Sequence, residues 1–314
     1  MKEKVVVIVG PTAVGKTKAG VELAKRFHGE IISGDSMQIY KGLDIGTAKI
    51  TKEEMENIPH HLIDIKEPTE SFSVAEFQQL VKTLITKINA KGKLPFIVGG
   101  TGLYISAVLQ NYNIPRVPSN ESYRRELEKF AKTYGPEALH EKLKTIDPAS
   151  YREIHPRNVR RTIRALEVYH ETKRPFSEFQ AAQKKEPSYD YVIIGLTMER
   201  KELYERINAR VDEMIEKGLL EEVKRLYQLA GFKDSQAAQA IGYKEIIEHL
   251  EGKITLEEAI EKLKRNTRRY AKRQFTWFRN KTDAVWFDMT NANFEQKIHE
   301  IEKLIEGMLL KKAK

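Results

Sequence analysis

The chain has 314 residues and no cysteine, so it can bury a large core, while disulfides, thiolate catalysis and cysteine-ligated zinc are excluded. No apolar run approaches the roughly 20 residues that cross a bilayer, and the N-terminus enters a strand-like stretch with no room for a secretory leader, so no membrane association and a cytoplasmic setting are expected. Lysine and arginine total 54 against 45 acidic residues, a net charge of +9 that fits a polyanionic partner if the charge is clustered.

Residues 5–9, VVVIV, are a continuous β-branched run, as expected of a strand buried on both faces. Residues 16–27 predict a helix with Ala19, Leu23, Ala24 and Phe27 on one face. Ile31 and Ile32 mark a second short strand ending at Ser33-Gly34-Asp35. A capping box of Ser73 and Glu76 opens a long helix carrying Val74, Phe77, Leu80, Val81, Leu84, Ile85 and Ile88. Residues 96–98 form a third strand that closes on Gly99-Gly100-Thr101-Gly102. This alternation predicts a doubly wound α/β fold with a largely parallel sheet. From 115 to 187 there is no strand-like run, only charged helix-periodic segments broken by Pro118, Pro136, Pro148, Pro156 and Pro175. A core strand resumes at 191–196, and one more is expected at 284–287 among helices. The predicted organisation is therefore a catalytic core of residues 1–114 and 191–314, with a helical insertion domain at 115–190.

GPTAVGKT occupies residues 10–17 and fits G-x-x-x-x-G-K-[ST], with a buried strand before it and a helix after it. Gly10, Pro11, Thr12, Ala13, Val14 and Gly15 would form a turn whose amides converge on phosphate oxygens. Lys16 would neutralise phosphate charge, and the Thr17 hydroxyl suits Mg2+. The core is thus expected to be P-loop NTPase-like. The motif names a phosphate and not a reaction. Residues 280–283 spell the NKxD signature of guanine readers, but they follow a basic, aromatic helical stretch, and no Asp-x-x-Gly occurs anywhere. A run of apolar residues ending in Walker-B carboxylates is also missing. A small-molecule kinase stays open.

Asp35-Ser36-Met37-Gln38 follow the second strand, whose end opens on the same sheet edge as the loop. Asp35 is expected to be ionised at neutral pH, kept so by Lys16, and able to take a proton from a weak nucleophile or hold a metal-bound water. His60-His61 invite a metal reading, yet adjacent side chains share no face in regular structure and no third ligand is evident, so none is expected there.

GPTAVGKT, DSMQIY (35–40), DIGTAK (44–49), HHLID (60–64), SFSVAEF (71–77), GGTGLY (99–104), HPRNVRRTIRALE (155–167), IGYKE (241–245) and TRRYAKRQFTWFR (267–279) occur in this order. Together they resemble the bacterial tRNA dimethylallyltransferases over nearly the whole chain. The resemblance implies transfer of a dimethylallyl group from dimethylallyl diphosphate to the exocyclic amine of the adenine 3′ of the anticodon. Residues 10–17 would then hold the donor's diphosphate, with Mg2+ at Thr17, and Asp35 would be the general base. By the same resemblance Arg210 assists the diphosphate, Thr101 contacts the donor or the target nucleotide, and Asp35, Ser36, Met37 and Gln38 touch that nucleotide. A stacked base cannot reach Asp35, so the adenine is expected to be flipped out.

The charge is clustered. Residues 264–281 hold Lys264, Arg265, Arg268, Arg269, Lys272, Arg273, Arg279 and Lys281 with no acidic residue among them, interleaved with Tyr270, Phe275, Trp277 and Phe278. Spacings of three and four place Arg268, Arg269, Lys272 and Arg273 broadly along one helical side with Arg265, a surface suited to a single-stranded RNA loop. Some of the aromatics are expected to anchor the helix to the core. A second cluster is Arg157, Arg160, Arg161 and Arg164. The resemblance makes Val159, Arg160, Arg161, Thr162 and Ile163 an RNA-contacting stretch, with Tyr123 and Arg124 adding contacts to the anticodon stem-loop. An adenylate prenyltransferase would need no such basic surface, and a non-catalytic RNA-binding module would need neither the loop nor Asp35. A monomer is expected.

Overall fold

A computed structural model of the chain describes residues 2–115, 117, 119–181 and 189–310. It divides into two compact units, Met1–Leu109 with Ser188–Lys314, and Gln110–Pro187.

The first unit is built on a six-stranded, all-parallel sheet: β1 (Lys4–Val9), β2 (Glu30–Ser33), β3 (His60–His61), β4 (Pro95–Val98), β5 (Asp190–Thr197) and β6 (Val285–Asp288), in the order β3-β2-β4-β1-β5-β6. Val5 to Val9 of β1 are completely buried, because helices cover both faces of the sheet. That is why the run is continuous rather than alternating. Helices Lys16–Arg26 and Phe294–Ile305 lie in one of the two apolar clusters that cover the sheet, and Val74–Ala90 in the other. Helix Lys16–Arg26 stops one residue short of the expected end, with Phe27 as its C-cap.

β3 is a strand that hydrophobic periodicity does not announce. His60 and His61 pair with Ile31 and Ile32 at the sheet edge. Their side chains take opposite partners: His60 Nδ1 lies 2.8 Å from the Ile58 carbonyl, and His61 Nε2 lies 2.8 Å from the carboxylate of the buried Glu30. The strand at 284–287 appears one residue later, and 191–196 is extended at both ends.

The backbone of the catalytic edge continues the ladder beyond the strands. Gly34 N–H donates to the Val98 carbonyl at 2.8 Å, Gly99 N–H to Ile8 at 3.1 Å and Thr101 N–H to Gly34 at 3.2 Å. A Cβ on Gly99 would lie 2.3 Å from Gly34 backbone atoms, so the segments after β2 and β4 touch backbone to backbone, as only glycine permits. The phosphate loop, Asp35 and the Gly99–Gly102 turn are thereby set side by side at the carboxyl ends of β1, β2 and β4.

The second unit is entirely helical among its described residues, with its own cluster of Leu127, Leu139, Leu143, Ile154, Ile163, Ala165 and Leu166. Pro136 and Pro148 open the helices Pro136–Glu141 and Pro148–Glu153 rather than breaking anything, since the missing N–H costs nothing in a first turn. The unit begins and ends a few residues earlier than the predicted 115–190; Pro118 and Pro187 lie outside the described residues.

Candidate active site

The loop after β1 turns through backbone that side chains disfavour. Gly10 (φ +147°) could not carry a Cβ, which would meet the Leu196 carbonyl at 2.4 Å, and Gly15 has φ +100°. Ala13 also takes a left-handed conformation, φ 67°, a local strain of order 1 kcal/mol that recurs at ligand-gripping turns. Gly15 caps helix Lys16–Arg26 without any side-chain hydrogen bond. Its first-turn amides therefore have no side-chain acceptor and face a cavity, which suits an anion.

Lys16 Nζ donates to the Pro11 carbonyl at 2.7 Å. Burial, reinforced by Arg210 and opposed by Asp35, pulls its pKa down to about 7. Thr17 is exposed at the helix start, and its hydroxyl has no protein partner among the described residues.

Asp35 Oδ1 accepts from the Met37 N–H at 2.8 Å, a local turn that fixes the carboxylate. Here the electrostatics differ from the sequence expectation. Burial pushes the Asp35 carboxyl above the ordinary carboxylate range, and the Met37 and Gln38 amides and Lys16 offset this only in part. Lys16 does pull it down, as expected, but the burial of Asp35 itself outweighs that pull. Ser36 N–H donates to Thr101 Oγ1 at 3.2 Å, and Tyr270 is hydrogen-bonded to Thr101 and Gln274. Thr101 thus acts as a tie beneath Ser36. Gln38 Nε2 donates to the carbonyls of Thr47 and Ala48, at 3.3 and 3.4 Å, so its amide is partly committed to holding a wall of the site.

Two neighbouring cavities share Thr12, Ala13, Asp35, Thr47, Ala48, Arg210 and Tyr270. One, of about 450 Å³, is floored by Gly15, Lys16, Thr17, Gly99 and Gly100. The other, of about 320 Å³, has an apolar wall of Met37, Ile207, Val211, Met214, Ile241 and Leu263. Arg210 stands on helix Arg200–Glu216 between them, its pKa lowered by burial. It is a site residue and not a surface arginine.

Three positioning side chains, Glu222, Tyr243 and Gln274, escape the sequence reading, although Tyr243 and Gln274 lie within the motifs at 241–245 and 267–279. Glu222, buried, accepts from the N–H groups of Asp44 (3.0 Å), Ile45 (2.9 Å) and Gly46 (3.1 Å) and from the Tyr243 hydroxyl (2.6 Å), which fixes the DIGTAK wall. Gly46 is required there because a Cβ would lie 2.6 Å from the Tyr243 ring. Gln274, also buried, joins the phosphate loop to the turn after β4. A polar residue on the inward face of an otherwise basic helix was the available signal.

The basic surfaces resolve into two populations. On helix Leu256–Lys281, Arg265, Arg269, Lys272, Arg273 and Arg279 are exposed, and Arg273 also reaches the rim of the apolar cavity. Arg268 is partly buried and donates to Asn208 Oδ1 at 2.6 Å, and Lys264 pairs with Asp212 at 2.7 Å. These two clamp their helix to helix Arg200–Glu216, and Lys264 also lies 3.8 Å from Glu261 one turn earlier. The aromatics all face inward: Phe278 is fully buried, Trp277 packs on Gly102 and donates to Ser106 Oγ at 3.3 Å, Phe275 meets Trp286 edge-on at 5.2 Å, and Tyr270 lines the cavities. Phe275, Trp277 and Phe278 are thus packing residues, and Tyr270 is the aromatic of this set that faces the cavities.

In the helical unit, Arg157, Arg160 and Arg161 are exposed at the start of helix Val159–Thr172. Thr162 (0 % exposed) and Ile163 (5 % exposed) point into the unit's core, and Val159 packs at its margin. Their side chains are therefore corrected from RNA contacts to packing, on the face of the helix turned toward the unit's core. Arg124 (Nε, 2.7 Å) and Arg164 (Nη1, 2.5 Å) converge on buried Glu167, and Tyr123 stacks on His170 at 4.2 Å. These three hold the unit together.

Comparison with known proteins decides what the arrangement belongs to. The IPP transferase family model matches residues 38–281. The chain belongs to the IPP transferase family. It is 59% identical to the tRNA dimethylallyltransferase of Halalkalibacterium halodurans, over the full length of both chains. It is 61% identical to that of Geobacillus thermodenitrificans over 98% of each. Among solved IPP transferase structures, the full-length tRNA isopentenylpyrophosphate transferase of Bacillus halodurans superposes with a TM-score of 0.74 at 59% identity, covering 98% of this chain and 97% of that one. A eukaryotic dimethylallyltransferase described as acting on tRNA gives 0.81 at 32% identity, covering 99% and 81%.

Proposed function

We propose that the chain transfers the dimethylallyl group of dimethylallyl diphosphate to the exocyclic amine of the adenine 3′ of the anticodon in tRNA, releasing diphosphate. The observation that carries this reading is that a phosphate loop and a buried carboxylate line the same pair of cavities, one polar and one apolar-walled.

The allylic carbon becomes electron-poor as its bond to oxygen breaks, and negative charge grows on the departing diphosphate. The loop amides, Lys16 and Arg210 stand where that charge develops. The adenine amine is a poor nucleophile until its proton can leave, and Asp35, with its raised pKa, is suited to accept that proton near neutral pH. The donor set fits Mg2+ held mainly through substrate oxygens: the Thr17 hydroxyl is free, and no cluster of three or more His, Cys, Asp or Glu is present among the described residues. Bound there, Mg2+ would neutralise charge on the leaving group.

Recognition of the anticodon stem-loop is assigned to the exposed basic residues, Arg265, Arg269, Lys272 and Arg273 on one unit and Arg160 and Arg161 on the other. No helix among the described residues is long and apolar enough to cross a membrane, and the cytoplasm is the setting this substrate implies.

Labelled dimethylallyl diphosphate, Mg2+ and tRNA, AMP or ATP with small acceptors separate the possibilities. The reading predicts label on tRNA alone. Label on AMP in preference to tRNA, or phosphate transfer from ATP without prenyl transfer, would overturn it.

A further inference from the structure

Gln274 carries no charge and presents nothing to the surface, being 5% exposed on the inward side of helix Leu256–Lys281. Its amide has two different jobs. Oε1 accepts from the Thr12 N–H at 2.9 Å, inside the phosphate loop, while Nε2 donates to the Gly100 carbonyl at 3.0 Å, in the turn after β4. One partner is a donor and the other an acceptor, so the amide has a single satisfactory orientation. The fit is close: a Cβ on Gly100 would come within 2.0 Å of Nε2.

What lies on either side gives this bridge its meaning. Thr12 belongs to the cradle for the leaving group. Gly100 precedes Thr101, whose hydroxyl accepts from the Ser36 N–H and whose own N–H is bound by the Gly34 carbonyl, the two neighbours of Asp35. A single buried amide therefore spans the gap between the diphosphate cradle and the backbone that aims the base.

We propose that Gln274 is a positioning residue for the transfer, holding the phosphate loop and the Gly100–Thr101 turn at the spacing that lets the leaving-group site and Asp35 act on one pair of substrates. The proposal rests on the transferase reading above. Its chemistry demands simultaneous bond breaking at one end of the donor carbon and proton removal beyond the other, so the spacing matters more to the rate than to either affinity.

The test compares Gln274→Leu and Gln274→Glu with the unsubstituted protein. Single-turnover transfer is measured at saturating dimethylallyl diphosphate and tRNA across acidic to alkaline pH, with tRNA affinity, inorganic diphosphate affinity and melting temperature recorded for each. Gln274→Leu should slow transfer on the order of 10- to 100-fold and leave tRNA affinity within about twofold. Gln274→Glu discriminates further. As a carboxylate it keeps the acceptor for Thr12 but opposes the Gly100 carbonyl; once protonated it regains the donor. Its rate relative to the unsubstituted protein at the same pH should therefore climb several-fold as pH falls. A pH-independent ratio, an unslowed Gln274→Leu, or equal loss of rate and tRNA affinity would overturn the assignment. Absence of transfer by the unsubstituted protein would instead remove the transferase reading itself, and the diphosphate affinity of Gln274→Leu would still show whether the loop depends on the amide.

Discussion

Asp35 and Lys16 are the two residues whose ionisation the fold changes most usefully. Asp35 is raised by burial, so the acidic limb of the pH–rate profile should lie above the ordinary carboxylate range, and Asp35→Asn should lose on the order of 10²- to 10⁴-fold in turnover. Its tRNA affinity, read by fluorescence anisotropy, should change little; equal losses in both would remove Asp35 as the base. Lys16 is lowered to about 7 in the free protein, while a bound diphosphate favours its protonated form. The sign follows. Below pH 7 the ammonium is already present and donor affinity is complete. Above pH 7 binding must draw in a proton, and affinity declines as pH rises. Calorimetry in two buffers of different ionisation enthalpy should show proton uptake above neutrality, and Lys16→Gln should abolish it.

At this scale the sequence was informative about chemistry and poor about environment. GPTAVGKT announces its own backbone because the glycines and lysine are needed in that order for one purpose. The raised pKa of Asp35 comes from burial in a pocket whose walls, Arg210 and Tyr270 among them, are distant from it in sequence. Gln274, Glu222 and Tyr243 satisfy groups between 21 and 262 positions away, and nothing in their own neighbourhoods points there.

Among the elements, helix Leu256–Lys281 shows that a basic stretch is two populations. Affinity for tRNA should fall steeply with salt, and Arg269→Ala with Lys272→Ala should flatten the slope of log affinity against log salt by about 0.7 to 0.9 for each phosphate no longer neutralised. Arg268→Ala should behave differently, lowering the melting temperature because its hydrogen bond to Asn208 is broken, with little change in slope. A flattened slope in Arg268→Ala and none in the pair would reverse this division of the helix.

In the helical unit, Glu167 is the element-level anchor. Burial raises its pKa, but Arg124, Arg164 and the Asn120 N–H outweigh this and leave it below the usual range. Its contribution is complete above the unfolded carboxylate pKa of about 4.3 and is lost as pH falls through the lower folded value. Glu167→Ala should cost about 2 kcal/mol, less than the roughly 3–5 of a wholly buried pair, since both guanidiniums keep some solvent. An unchanged melting temperature would contradict this. Periodicity revealed the helices of this unit and its separateness. It could not say which arginines face outward, because Arg164 is drawn inward by buried Glu167 and by the carbonyls of Pro115 and Val117, while Arg160 and Arg161 stay exposed.

For the whole molecule, the parallel sheet was legible from three apolar runs followed by glycine-rich or acidic turns, and β3 was not, since two edge histidines carry no strand signal. Sheet order then does the functional work. Placing β4 beside β1 and β2 beside β4 brings three sequence-distant turns to one edge, and the cavities there hold both a leaving-group cradle and a base. This edge is built for alkylation of an adenine amine rather than for phosphate transfer. Single-turnover transfer to an anticodon stem-loop carrying either adenine or unsubstituted purine at the target position measures this directly. The predicted result is equal binding of both RNAs and prenyl label only on the one with the exocyclic amine. Label on the purine RNA, or a labelled phosphate on either RNA from ATP, would contradict it.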